Sequence, residues 1–425
     1  MRMLVAQPDG TLEVLGGMRP AGRSGARLEP LSLEAMTPLP DSATLMHLPG
    51  RRAVGVDGRG RAADVEAALL PVAAVLPVGY LRTLLPASQP LPGSSRLPLY
   101  GYAAVAEHQG RLMVAALRTD TFEWWEPRQY AEADLDTAVL AARRALPGNR
   151  LVDHLAGCAT ELRCYTAKNT FLRRYEGALP ASPACNADCL GCISLQSDGQ
   201  APAPQPRMRF APTADELAGL AGYFLEGRDA AIISYGQGCE GEALTRDDVL
   251  VDATSRIREA HPLATIHINT NGSKPRFLER LIAAGCDSVR VSAISFTDAV
   301  FRAYYRPIGY TIDDVIACGE VMSRAGGQVC LNLLTFPGLT DSPDELERTV
   351  AACVTLGVRQ IQWRSLNVDH DWLREVLDRG GHLPDGAIGL GAAMDHTRKR
   401  LPGVEHGNFT RPVSAEIGAA GRVVG

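Results

Sequence analysis

Beyond residue 210 the chain alternates two hydrophobic rhythms. Short apolar runs at 230–235, 265–270, 288–293, 328–334 and 359–363 have the length of strands buried on both faces. Between them, 214–226, 245–259, 275–284, 311–324 and a stretch ending at 356 repeat apolar positions every three or four residues, as amphipathic helices do. The end signals agree. Thr213 and Glu216 have capping-box spacing, Gly285 follows the third helix, and Ser342-Pro343 opens the last with a cap and a proline. Buried strands alternating with helices predict a parallel sheet with right-handed crossovers. Five βα repeats, plus a strand leading into a cysteine-rich loop near 185, make about six units and predict an α/β barrel. In such folds the loops after the strand C-termini carry the chemistry.

Residues 1–145 differ, with many Pro and Gly and no sustained helical period. Residues 100–117 read as two strands joined at His108-Gln109-Gly110, and 53–56 as a strand before the turn Asp57-Gly58. This predicts a β-rich or α+β accessory domain. Trp124-Trp125 reads as a core or interface pair. The stretch 134–146 reads as a helix ended by Pro147-Gly148. A connecting segment, 146–180, would then lead into a barrel over 181–410 and a tail over 411–425. That segment is dense in polar groups: His154, Cys158, Cys164, Lys168, Asn169, Arg173 and Arg174. On a helix His154 and Cys158 share a face, and with Cys164 they could hold a second metal or cluster; alternatively, such thiols simply bury.

Composition narrows the function classes. A 425-residue chain has room for two or three domains, and 46% hydrophobic with 21% charged residues describes an ordinary globular protein. A net charge of −5 makes no electrostatic case for a nucleic-acid or membrane partner. Met1 to Gly10 lacks the apolar core of a secretory signal, and the apolar run 67–81 is short and broken by Pro71 and Pro77. Ten cysteines without such a signal predict reduced thiols in the cytoplasm.

Cys185, Cys189 and Cys192 form a CxxxCxxC loop. A closed zinc site wants four ligands, whereas an iron–sulfur cluster on three thiolates keeps one iron free for a small molecule. A zinc knot completed by Cys158, Cys164 or Cys239 is the alternative. The next loop, Gly236-Gln-Gly-Cys-Glu-Gly-Glu-Ala243, fits the dinucleotide pattern GxGxxG, which would suit an iron–sulfur oxidoreductase using a nicotinamide. Glu240 and Glu242 oppose that reading, since two carboxylates suit a cation rather than a pyrophosphate. Further strand ends carry Asn269-Thr270-Asn271-Gly272, Arg290 with Ser292, Asn332 with Thr335, and Gln362 with Arg364. Of these, Asn332, Thr335, Gln362 and Arg364 alternate to one side and should line the lumen. His267 faces the same way as Asn269, either as a substrate neighbour or as a hydrogen-bonded core histidine. Tyr304-Tyr305-Arg306-Pro307 and 406–411 are mouth or tail loops.

The cysteine loop resembles that of the radical S-adenosylmethionine (radical SAM) enzymes; the resemblance extends over about residues 165–410 and implies a partial (β/α)6 barrel of the TIM type. It implies that Cys185, Cys189 and Cys192 bind a 4Fe-4S cluster whose open iron is chelated by S-adenosylmethionine. The cofactor would be cleaved reductively to a 5′-deoxyadenosyl radical, which takes hydrogen from an unidentified peptide, protein or small-molecule substrate. The implied partners are that substrate and an electron donor such as a flavodoxin or ferredoxin. Gly241-Glu242-Ala243 falls where the family's Gly-Gly-Glu-Pro-like segment meets the ammonium group, with Glu242 its partner and Glu240 second. Asn269, Thr270 and Asn271 would border the cofactor. Ser292 would meet its carboxylate or ribose, and Arg290, Asn332, Gln362 and Arg364 would meet its other groups or the substrate. Two departures stand out: Ala243 replaces the usual Pro, and Gly191 stands where an aromatic residue usually shields the adenine. No cysteine follows Cys353, so auxiliary clusters of the kind carried on C-terminal extensions are not expected.

Overall fold

The computed structural model describes residues 1–66, 68–121, 130, 132–228 and 231–413. Trp124-Trp125 and most of the tail lie outside them. The second half is a seven-stranded sheet laid down in strictly sequential order: Glu176–Leu179, Ile232–Tyr235, Thr265–Thr270, Ser288–Ala293, Gln328–Thr335, Val358–Ser365 and Glu405–Gly407. Every neighbouring pair is parallel. The apolar rhythm therefore located the sheet, and the short seventh strand extends the expected six. That strand has only three residues and no apolar run, so periodicity could not show it.

The helices follow their sequence signals. Thr213 caps Ala214–Leu225 through a complete capping box with Glu216, and Ser342 accepts from Glu345 N at the start of Pro343–Leu356. Gly357, left-handed at φ 67°, ends the latter. The predicted second helix starts two residues late, at Asp247, because a 3-10 turn (Ala243–Thr245) intervenes. Asp298–Tyr305 is a helix that the periodicity did not separate from its flanking loops.

Residues before about 120 form antiparallel β structure. Its largest sheet runs Leu12–Leu15, Met3–Ala6, Leu70–Val75, Tyr102–His108, Arg111–Val114, Thr37–Pro38, with Thr44–His47 also paired to Leu70–Val75. The hairpin expected at 100–117 pairs His108 with Arg111 around Gln109-Gly110. The helix Glu132–Ala145 ends before Pro147-Gly148, and two more, Arg150–Thr160 and Tyr165–Leu172, lead to the first barrel strand.

This β region sits over the C-terminal ends of the fifth and sixth barrel strands. Arg82 is fully buried; its guanidinium donates to Tyr102 O on its own side and to Thr335 O (3.2 Å) and Leu366 O (3.3 Å) on the barrel. Burial without a carboxylate partner pushes it down to about 9. Arg51 pairs with Asp369 (2.6 Å) and Asp371 (3.0 Å), all three buried, and Leu97 N also donates to Asp369. The accessory region is thus a cap on the end of the barrel where chemistry is expected.

Candidate functional site

Period-2 alternation and parallel register together build the lumen in tiers. One tier aligns Ser234, His267, Ser288 and Gln328; the next aligns Asn269, Arg290, Cys330 and Gln360; the third aligns Ser292, Asn332 and Gln362. Above them a cavity of about 460 Å³ is walled by Asn269, Arg290, Ser292, Asn332 and Arg364, by Gly191 and the glycine loop 236–238, and by Val75, Leu76, Pro77, Val78 and Tyr80 of the cap. Five of the expected site residues therefore converge on one space.

Thr335 does not join Asn332. Three residues along a strand is an odd step, so Thr335 faces the other way and donates to Arg364 O (3.0 Å), while Leu334 faces the cavity. His267 is a core histidine: Nδ1 meets Ser288 Oγ at 2.8 Å and Nε2 meets Asn269 Oδ1 at 3.2 Å, below the cavity wall. Burial and the Arg290 charge hold it down at about 4.

The cysteine loop follows the first strand and is bracketed by the last turn of Asp298–Tyr305 and the segment after it. Asp188 N donates to Tyr305 O (3.1 Å), Leu190 N to Tyr304 O (3.0 Å), and Ile308 N to Asn186 O (2.9 Å). These bonds explain Gly191: a Cβ there would lie 2.6 Å from both Asn367 O and the Tyr304 hydroxyl. Tyr304 thus brings an aromatic ring to this corner of the cavity from another element. Sequence spacing could not show it, because helix and loop are more than a hundred residues apart.

The three thiols are half-buried and free. Burial raises Cys189 most, with the neighbouring Cys192 and Cys185 adding to it; burial and then Glu242 raise Cys185 to about 11. Arg207 donates to Cys192 Sγ (3.5 Å) and Ser194 Oγ (3.1 Å), a contact from fifteen residues downstream that no motif signalled. The buried Tyr310 hydroxyl has no hydrogen-bond partner among the described residues, and burial first, then Cys189, Glu242 and Cys185, oppose its ionisation. Three thiols near enough for their charges to interact, with one cation and an unsatisfied hydroxyl beside them, suit a cluster that draws off thiolate charge and offers acceptor atoms.

The two carboxylates are both built into the loops. Glu240 Oε2 accepts from Ala181 N (2.6 Å) and Ser182 N (2.8 Å), and its Oε1 from Gln237 N, which ties the glycine loop to the segment before Cys185. Burial pushes its acid up to about 8. Glu242 accepts from Thr270 Oγ1 (2.6 Å), Asn271 N (2.7 Å) and Leu244 N (2.9 Å), which joins the second and third strand ends. Neither lines the cavity wall, nor do Gly241, Thr270, Asn271 and Gln362. Gln362 instead accepts from Arg290 (2.7 Å) and Arg364 (3.2 Å), holding both guanidiniums. The glycine loop spends its Gln237, Glu240, Gly241 and Glu242 N–H groups within the protein. A Cβ on Gly241 would fall 2.0 Å from Ala184 O. Gly236 and Gly238 are closed in likewise, by Asn269 O and by Gln205, so the glycines serve close packing, which removes the basis for a dinucleotide reading.

Charge completes the cavity. Arg290 and Arg364 are half-buried in its wall with neutral hydrogen-bond partners, and desolvation lowers both, Arg364 to about 9. No Asp or Glu lines the cavity among the described residues. Asn332 Oδ1 is buried there without a protein partner, while its Nδ2 donates to Ser292 Oγ (2.9 Å).

Among known proteins, residues 179–351 match the Radical SAM superfamily. No curated protein sequence matches the chain. Similar solved structures include methylornithine synthase (PylB), at 14% identity over 56% of this chain and 65% of that one, TM-score 0.35. Streptococcus suis SuiB bound to precursor peptide SuiA aligns at 13% identity over 61% of this chain and 52% of that one, TM-score 0.36. HydG, a maturase of the [FeFe]-hydrogenase, aligns at 13% over 65% and 68%, TM-score 0.36. The chain thus spans about half to two thirds of the length of each. No helix among the described residues is long and apolar enough to cross a membrane. A three-cysteine loop follows the first strand of a sequential parallel sheet and the family match begins at that strand's end, so residues 179–351 form a region of the radical SAM superfamily, a family whose cofactors are a 4Fe-4S cluster and S-adenosylmethionine.

Proposed function

We propose that this protein is a radical SAM enzyme that removes hydrogen from a substrate bearing an anionic group, held between the barrel mouth and the β cap. One observation carries this reading: the cysteine loop opens through Gly191 and Ile193 onto a cavity whose described lining has two half-buried arginines and no carboxylate. When bound, the cluster and S-adenosylmethionine supply one-electron cleavage chemistry that no side chain can provide. Cys185, Cys189 and Cys192 are the residues to hold the cluster. Arg207 places positive charge beside Cys192 and offsets the charge of a thiolate-bound group.

The remaining residues bind, orient and exclude water. Glu240 and Glu242 pin three loops together at the strand ends, and Glu242 adds negative charge on the cysteine-loop side, where an ammonium group is to sit. Arg290 and Arg364, prepositioned by Gln362, offer paired donors to a carboxylate or phosphate. Asn332 lines the cavity and holds the Ser292 hydroxyl there through its Nδ2. Val75 to Val78 and Tyr80 close the roof with apolar surface, which keeps water from a reactive intermediate. The reductant is proposed to be a flavodoxin or ferredoxin, and the compartment a reducing cytoplasm, consistent with ten free thiols.

The test is anaerobic reconstitution with iron and sulfide, followed by dithionite and S-adenosylmethionine. The expected product is 5′-deoxyadenosine, with hydrogen from an anionic substrate candidate appearing in it. A reconstituted protein that binds zinc rather than a brown chromophore, or a chromophore that leaves the cofactor intact, would overturn the reading.

A further inference from the structure

A second group of soft ligands lies outside this cavity. His154 and Cys158 stand one turn apart on Arg150–Thr160, and Cys239 comes from the glycine loop after the second strand. Cys158 Sγ and His154 Nε2 are 3.9 Å apart, and the three ligand atoms lie within 4.8 Å of one another. In a tetrahedral site, bonds of about 2.0–2.3 Å hold neighbouring ligand atoms roughly 3.3–3.8 Å apart. The three therefore need to draw together by no more than about 1 Å to share one ion. The sequence pattern pointed to Cys164 as the third member. The structure brings Cys239 there instead and uses Cys164 as the N-cap of Tyr165–Leu172, with its N–H donating to Cys158 O (2.9 Å).

We propose that His154, Cys158 and Cys239 form a mononuclear site for a zinc-class divalent ion, separate from the three-cysteine loop. Both thiols are buried, at 4% and 5% exposure, while His154 opens onto a second cavity of about 480 Å³ lined by Arg150, Asp153 and 206–210. That side provides an entry path and a fourth coordination position for water. Phe210 packs edge-on against the His154 ring and fixes its direction. On binding, each thiol releases its proton to solvent and no redox change occurs. The site would staple the helix before the barrel to the glycine loop that carries Glu240 and Glu242. The segment 207–208 touches both centres: Met208 N donates to Cys239 O (2.8 Å), and Arg207 reaches Cys192.

The test uses the full chain with Cys185, Cys189 and Cys192 all replaced by Ala, which removes the other thiol centre. Cobalt(II) titration should saturate at one ion per chain with thiolate-to-cobalt charge-transfer absorption in the near ultraviolet, and zinc should displace it. Adding His154→Gln, at a half-exposed position, should weaken binding roughly tenfold or more without altering the far-ultraviolet circular dichroism. Adding Cys158→Ser with Cys239→Ser should abolish the absorption, and Cys164→Ala should leave it intact. Three results would overturn the proposal: no stoichiometric ion in the triple variant, binding that survives loss of both thiols, or retention of iron and sulfide in place of a single ion.

Discussion

The two walls of the central cavity are made in opposite ways. The barrel wall is polar, and parallel register sets it: Asn269, Arg290, Ser292 and Asn332 come from successive strands at matching heights. The cap wall is apolar and comes from one short stretch, 75–80, positioned by buried charges elsewhere, chiefly Arg51 on Asp369 and Asp371 and Arg82 on barrel carbonyls. Repeating backbone geometry can place many weak polar contacts accurately. A docked sheet needs a few strong, directional anchors. The contrast separates recognition, which belongs to the barrel, from enclosure, which belongs to the cap.

Four perturbations test that division, the strongest first. Cys189→Ala should reduce 5′-deoxyadenosine formation by about a hundredfold or more while the cap and barrel stay folded, because only a cluster ligand is lost; product assay and circular dichroism read the two arms. Retained turnover would remove the assignment of the cysteine loop. Arg51→Ala leaves two buried carboxylates without their cation and should lower stability by roughly 3–5 kcal/mol. Thermal unfolding should show an early cap transition, and a change below about 1 kcal/mol would mean the cap is held otherwise.

Acid should unsettle the barrel wall through His267. Its folded-state value, about 4, lies below that of an unfolded chain, near 6.5, so the unfolded state takes up the proton first. Stability from this group is complete above pH 6.5 and declines as pH falls towards 4, by roughly 3 kcal/mol at the acid end. Urea unfolding across that interval should be less acid-sensitive in His267→Gln. The smallest effect is expected at the junction of the two walls. Gly191→Ala puts a methyl group against Asn367 O and the Tyr304 hydroxyl, a cost of about 1–3 kcal/mol. Tyr304→Phe should relieve part of it, since the carbonyl contact remains; calorimetry of the double variant measures the fraction recovered.

The sequence by itself determined the barrel, because buried parallel strands and amphipathic helices have distinct apolar periods, and because caps such as Thr213 and Ser342 act locally. It also determined the cysteine loop, whose spacing is a short-range property. Most polar strand-end residues were legible for the same reason, although Thr335 shows that a strand's alternation permits no odd step. Only the tertiary structure decided what Glu240 and Glu242 bind, why position 191 is glycine, and that Cys239 rather than Cys164 meets His154 and Cys158. Each of these depends on atoms brought together from distant parts of the chain. No local pattern encodes such a meeting; it follows from register, crossover and the docking of one sheet on another.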